Sequence, residues 1–188
     1  MVTLVDLWLP ILLSAVFVFM VSSLLHMFIP IHRGDRKKLP GEEQVMGAMR
    51  TQGVVPGAYM FPCPESMKQM SSPELVKKYN EGPVGHMTVL KNGPPKMGKS
   101  LFQWFVFSVV ISFFVGYIAK LGLGRGEEYM TVFRMTGTIA MLGYAVPYIE
   151  NSIWWGQKWG VTLKYVMDGI IYGLVTAGSF SWLWPNAL

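Results

Sequence analysis

Four stretches of the chain are almost free of charged side chains, and each is long enough to cross a lipid bilayer: 7–30, 101–119, 129–149 and 162–184. A helix needs about 20 mostly apolar residues to span the hydrocarbon core. The first two stretches contain no Asp, Glu, Lys or Arg, the third contains Arg134, and the fourth contains Lys164 and Asp168. The pattern predicts an all-α membrane protein with four transmembrane helices.

The segment between the first and second stretches has a different composition. Of the 16 basic and 11 acidic residues in the chain, 11 and 6 lie within 31–100. This segment contains a predicted helix at 44–50, a second helix that starts at a capping-box spacing from Ser71 to Glu74, and two predicted strands, 58–61 and 87–90, that can pair. We therefore expect a transmembrane helix in 1–30, a small, mostly irregular α+β insert in 31–100, and three transmembrane helices in 101–188.

The distribution of basic residues predicts the orientation. Only 14% of the 188 residues are charged and the mean hydropathy is +0.36, which excludes an ordinary soluble domain. If the insert faces the cytoplasm, 13 basic residues lie inside and three outside, as the positive-inside rule requires. Both termini then lie outside. This asymmetry accounts for the net charge of +5, so no nucleic-acid partner is predicted.

A few polar side chains fall within the predicted spans. Counted from the cytoplasmic boundary at 1.5 Å per residue, His26 lies about 6 Å deep and Asp168 about 9 Å deep, with Tyr144 at a comparable level. A carboxylate at this depth needs a partner, and the candidates are Lys164, one turn earlier, and His26 across the bundle. Arg134 lies near the opposite face and is excluded. The group is either a proton or ion relay or a satisfied structural pair.

Small residues recur on the fourth span at intervals of four. Gly169, Gly173 and Ala177 leave one helix face bare, which favours close contact with a neighbouring helix. This pattern describes helix packing and implies no reaction.

No catalytic constellation is visible in the sequence. The spacing of Gly93, Gly98, Lys99 and Ser100 matches a phosphate-binding loop, but the following helix is a predicted membrane span, and two prolines remove backbone donors. Cys63 is the single cysteine, and the three histidines lack a metal-ligand spacing. Haem ligation by His26 is the weak remaining candidate. We expect no enzyme activity, no metal and no cofactor.

Three phrases carry a resemblance: SSLLHM at 22–27, GPVGHMTV at 82–89, and the run from Asp168-Gly169 through AGSFSWLWP at 177–185. Together they resemble a set of uncharacterised four-span bacterial inner-membrane proteins with no assigned activity. The resemblance implies a bacterial inner-membrane location and adds no catalytic residue.

Two functions remain open. The small bundle, its bare helix face and the Met-rich insert favour an accessory or scaffold subunit that contacts the lipid bilayer and other membrane subunits or copies of itself. The alternative is a small oligomeric transporter or proton-linked channel that uses Asp168 and His26.

Overall fold

The computed structural model describes residues 1–187 and is mostly helical. Its elements are, in order, α1 (Trp8–Met27), α2 (Glu42–Thr51), β1 (Gly57–Phe61), α3 (Pro73–Glu81), β2 (Gly85–Val89), α4 (Met97–Gly122), α5 (Tyr129–Tyr144), α6 (Ile149–Trp154) and α7 (Trp159–Trp182). Two compact units form: Met1–Arg36 together with the chain from Lys96 onward, and Lys37–Pro95. The first unit is helical and the second holds the two strands, as expected of a helical protein with a small α+β insert.

Two helices are long and apolar enough to cross a membrane. The most apolar windows of α1 and α4 have mean hydropathies of 2.2 and 2.0. Helix α5 ends at Tyr144, shortly before Pro147, and has only 16 residues, whereas α7 has 24 residues and contains Lys164 and Asp168. Spans through α5 and α7 therefore stay predictions.

Helices α5 and α7 form the most extensive helix contact in the protein. A Cβ atom on Gly169 would lie 2.5 Å from the Cα atom of Ala145, and one on Gly173 would lie 2.5 Å from the Cγ atom of Met141. Ala177 is fully buried and faces Gly137. The bare face predicted for the fourth span is thus the face that packs on α5.

Hydroxyl groups link α1 to α4. The Ser14 hydroxyl donates to the Ser112 hydroxyl at 2.9 Å, and both side chains are buried. Nearer the end of α1, the Trp104 indole N–H donates to the Ser22 hydroxyl at 2.8 Å. These contacts hold α4 against the half of α1 that leads to His26.

The Lys37–Pro95 unit contains the predicted antiparallel ribbon, with Tyr59 opposite Met87. The predicted helix start near residue 73 is confirmed, but the predicted capping box from Ser71 to Glu74 is wrong. Ser72 is the cap, and its hydroxyl accepts the Leu75 amide at 3.3 Å. The reason is Pro73, which keeps the residue before it extended and so makes Ser72 the last non-helical position.

Candidate carboxylate–imidazole site

Two imidazoles meet where α1 ends. The helix stops at Met27, and the chain turns through a short 3₁₀ segment at Pro30–His32. This turn brings the His32 ring to 4.5 Å from the His26 ring, measured between centroids. A continuous helix would separate two residues six positions apart by well over one turn, so the break before Pro30 makes the juxtaposition possible.

Asp168 lies against both imidazoles from α7. Its Oδ2 atom is 2.9 Å from His32 Nε2 and 3.6 Å from His26 Nε2. The Asp168 side chain is 7% exposed and that of His32 is 12% exposed, whereas that of His26 is 40% exposed. The three residues offer ligand atoms that lie within 4.8 Å of one another.

A second carboxylate lies behind His32. Asp35 Oδ2 is 2.7 Å from His32 Nδ1, and Asp35 Oδ1 accepts from Lys164 Nζ at 2.6 Å. The hydrogen bond from Lys164 holds the pKa of the Asp35 carboxyl below its usual range; burial opposes this effect and the bond to His32 adds to it. Lys164 also donates to the Ile31 carbonyl at 2.8 Å, which fixes the turn after α1 onto α7.

Of the two partners predicted for Asp168, the structure brings only His26 close to it among the described residues. His26 lies beside it, as the sequence suggested, whereas Lys164 pairs with Asp35, which is in turn bound to His32. Tyr144 donates to the Ser108 carbonyl at 3.3 Å and contacts the ring of Tyr172 edge-on at 5.7 Å between centroids. The Tyr172 hydroxyl is 3.4 Å from His26 Nε2.

Aromatic rings surround the imidazoles. Tyr165 packs on His32 with centroids 4.8 Å apart and stacks on Tyr148 at 5.1 Å, and Trp104 contacts Tyr172 edge-on at 5.8 Å. Tyr165 therefore packs against both imidazoles, with its ring centroid 6.2 Å from that of His26 and 4.8 Å from that of His32.

A cavity of about 520 Å³ opens beside the cluster. His26 and Asp168, whose polar atoms lie 3.6 Å apart, form one polar part of its wall, and most of the wall is apolar. The remaining lining residues come from α1, α4 and the region around α7: Ser22, Ser23, Met27, Met97, Ser100, Leu101, Trp104, Tyr148, Tyr165 and Tyr172. Its volume lies within the range typical of small-molecule sites, about 300–1,000 Å³.

Three members of this site, His32, Asp35 and Tyr165, were not predicted from the sequence. One signal was present: Pro30 cannot continue a helix, so the chain is expected to change direction near this residue. The spacing of His32 and Asp35, three residues apart, also fits a local hydrogen bond in a turn. Their approach to Asp168 depends on the packing of α1 against α7, which no local pattern reveals.

The phosphate-loop spacing and Cys63 lie apart from this site in sequence. Residues 97–100, including Lys99 and Ser100, form the first turn of α4, so this part of the phosphate-loop spacing is helical. Cys63 is an exposed free thiol.

Comparison with known proteins gives no match: no family model matches the chain, and neither the curated proteins nor the solved structures contain one. The resemblance to uncharacterised bacterial inner-membrane proteins accordingly stays a prediction.

Proposed function

We propose that this protein is a four-span integral membrane protein of a bacterial inner membrane. The burial of its two most apolar helices supports this placement, because only 28% and 22% of their apolar windows are buried within the protein. The core helix of a soluble protein would be mostly buried. Apolar helix surface of this extent is stable against lipid, and the lengths of α1, α4 and α7 match the hydrocarbon thickness.

In the unit formed by Met1–Arg36 and the chain from Lys96 onward, we propose that the cavity binds a small amphipathic molecule that enters from the lipid phase. The observation that carries this proposal is the cavity itself, which is apolar along most of its wall and has the polar groups of His26 and Asp168 in its lining. An alkyl chain fits the apolar wall, and a hydroxyl or carboxyl head hydrogen-bonds to these polar groups. A passive scaffold would have no need for such a cavity.

Photo-crosslinking tests the binding proposal. A long-chain alcohol that carries a diazirine is added to the purified protein in lipid nanodiscs, and the labelled residues are mapped by mass spectrometry. We expect saturable labelling near Met27 and Leu101 that unlabelled alcohol competes away. Ser23→Phe, which fills the cavity, should abolish this labelling, whereas Met20→Phe on the exposed side of α1 should not. Labelling that neither saturates nor responds to Ser23→Phe would refute the proposal.

A transporter that uses Asp168 and His26 would be one use of this cavity. Four helices rarely enclose a pathway alone, so such a transporter would be an oligomer. Solute flux into proteoliposomes that is unchanged by Asp168→Asn would exclude it.

An accessory role in a larger assembly is the second candidate, and the Lys37–Pro95 unit favours it. Within residues 37–95 only Leu75 is buried, while large apolar side chains such as Met67 and Leu90 are 83% and 75% exposed. A unit with so small a core gains stability when a partner covers its apolar side chains. Purification in mild detergent should then yield a stoichiometric partner that is lost from a Met67→Ser/Leu90→Ser variant and kept by Asp168→Asn. A homo-oligomer without a foreign subunit would argue against this role.

A further inference from the structure

We propose that His26, His32 and Asp168 form a binding site for a divalent transition-metal ion of the zinc or ferrous class. No spacing along the chain predicts this site, because the three ligands come from the end of α1, the following turn and the middle of α7. The site lies at the polar part of the cavity wall, but the metal proposal does not require that an amphipathic ligand binds.

The first observation is a pair of buried polar atoms that have no well-aligned hydrogen bond within residues 1–187. These atoms are His32 Nε2 and Asp168 Oδ2, which lie 2.9 Å apart, at ion-pair distance. A buried polar atom without a partner costs about 1–3 kcal/mol, so two of them side by side call for a group that satisfies both. A metal ion between the nitrogen and the oxygen does so.

The second observation concerns which nitrogen of His32 carries the proton. His32 Nδ1 lies 2.7 Å from the Asp35 carboxylate, and this contact requires a proton on Nδ1. In the neutral imidazole the lone pair is then on Nε2, which faces Asp168. Metal-ligating histidines almost always donate their other N–H to a carboxylate or carbonyl, and Asp35, held by Lys164, is such a carboxylate.

The third observation is the spacing of the ligand atoms. Two ligands that bind one zinc ion at about 2.1 Å with tetrahedral angles lie about 3.4 Å apart. The distances from Asp168 Oδ2 to the two Nε2 atoms, 2.9 and 3.6 Å, lie on either side of this value. The Tyr172 hydroxyl lies 3.4 Å from His26 Nε2, which is longer than the usual range of about 2.5–3.0 Å for an O–H donor, so no short hydrogen bond holds this nitrogen.

The donor set determines the class of metal. Two imidazoles and one carboxylate suit zinc, ferrous iron and their first-row neighbours, whereas Mg²⁺ and Ca²⁺ prefer oxygen ligands. Three protein ligands leave at least one coordination position open, as in metal sites that bind a substrate or water. His26 and Asp168 line the cavity, so the open position faces it.

Metal titration of the purified protein tests the proposal. The full chain is prepared with an affinity tag that contains no histidine, stripped with a chelator, and titrated with Zn²⁺ by calorimetry and with Co²⁺ by visible absorption. We expect about one ion per chain and a Co²⁺ absorption band typical of nitrogen and oxygen ligands. Ca²⁺ and Mg²⁺ should give no comparable signal.

Variants separate the site from adventitious binding. Asp168→Asn and His32→Gln should abolish the Co²⁺ band, and His86→Gln, which alters a histidine in the other unit, should leave the affinity and the spectrum unchanged. Asp35→Asn should keep the band and weaken the affinity by about 10–100-fold, as is typical of the partners that orient metal ligands. Asp168→Glu, which retains a carboxylate, should recover part of the affinity and serves as a second variant if Asp168→Asn does not fold.

Two results would overturn the metal proposal. One is the absence of saturable binding by the folded wild-type protein, which would indicate instead a protonated His32 between two carboxylates. Binding that depends on His86 and not on His32 would also overturn it. Because photo-crosslinking measures cavity occupancy without metal, a failure of the metal site and a failure of the cavity proposal are distinguishable.

Discussion

At the scale of single residues, basic and acidic side chains alternate in a continuous series of contacts that ends at the cavity. Lys164 lies 2.6 Å from Asp35, Asp35 lies 2.7 Å from His32, and His32 lies 2.9 Å from Asp168. Each member orients the next, because a carboxylate with two donors is fixed in position and in turn fixes the imidazole. The lysine that seemed a partner for Asp168 therefore acts two groups away from it.

Removal of Lys164 tests this order. Lys164→Met removes the ammonium group that donates to the Ile31 carbonyl and to the Asp35 carboxylate, which is 5% exposed. We expect a loss of about 1–3 kcal/mol in the free energy of unfolding. Lys158→Met, at an exposed position one and a half turns earlier, should change stability by less than about 0.5 kcal/mol.

Thermal unfolding in detergent measures both variants. The double variant Asp35→Asn/Lys164→Met should lose less than the sum of its single variants, since the buried charge is removed together with its partner. Strictly additive losses would show that the two side chains are not coupled.

At the scale of elements, α7 has two adjacent stripes of side chains that contact different parts of the protein. Lys164, Asp168 and Tyr172 follow one another at four-residue intervals and face the cluster, and Gly169, Gly173 and Ala177 follow at the same interval and face α5. The stripes are offset by one residue, or about 100° around the helix. Close packing of α5 on the second stripe therefore determines the rotation of the first stripe and the direction of Asp168.

Gly169→Ala should disturb this packing. The new Cβ atom would lie 2.5 Å from the Ala145 Cα atom and 2.6 Å from the Tyr144 carbonyl oxygen, both of which are backbone atoms. We expect a net loss of about 1–3 kcal/mol, because backbone overlap outweighs the gain in helix propensity. Gly178→Ala on the same helix meets nothing within 4 Å and should be neutral or stabilising by up to about 1 kcal/mol. Equal effects of both variants on the melting temperature would contradict this account.

The amino end of α3 offers a second test at this scale. Ser72→Ala removes the hydroxyl that accepts the Leu75 amide, and we expect a loss of about 1 kcal/mol in the stability of this helix. Ser71→Ala, one residue earlier, should have little effect. Hydrogen exchange at the Leu75 amide distinguishes the two variants, and equal exchange rates in Ser72→Ala and Ser71→Ala would contradict Ser72 as the cap.

At the scale of the whole molecule, the chain combines a helical unit with large apolar surfaces and a second unit that has almost no core of its own. Basic residues are concentrated in and around the second unit, which gives the proposed orientation its charge asymmetry. The four proposed spans place both termini on the opposite side from that unit.

The single cysteine of the chain tests the orientation. Cys63 is exposed, so a membrane-impermeant maleimide should label it only after intact cells are permeabilised. In a Cys63→Ser background, Glu127→Cys, in the connection between α4 and α5, should react in intact cells. Labelling of Cys63 in intact cells would reverse the proposed orientation, and labelling of both positions from one side would contradict the four-span arrangement.

Features that local forces control could be predicted from the amino-acid pattern: apolar stretches that form helices, turn residues that allow the ribbon of β1 and β2, and small residues on α7 that permit close packing. The composition of the site could not, because it depends on contacts between distant parts of the chain. Asp35 and Lys164 are separated by 129 residues, and His32 reaches Asp168 because Pro30 turns the chain while α5 fixes the rotation of α7. Such contacts depend on how helices pack in three dimensions, and no spacing along the chain specifies that packing.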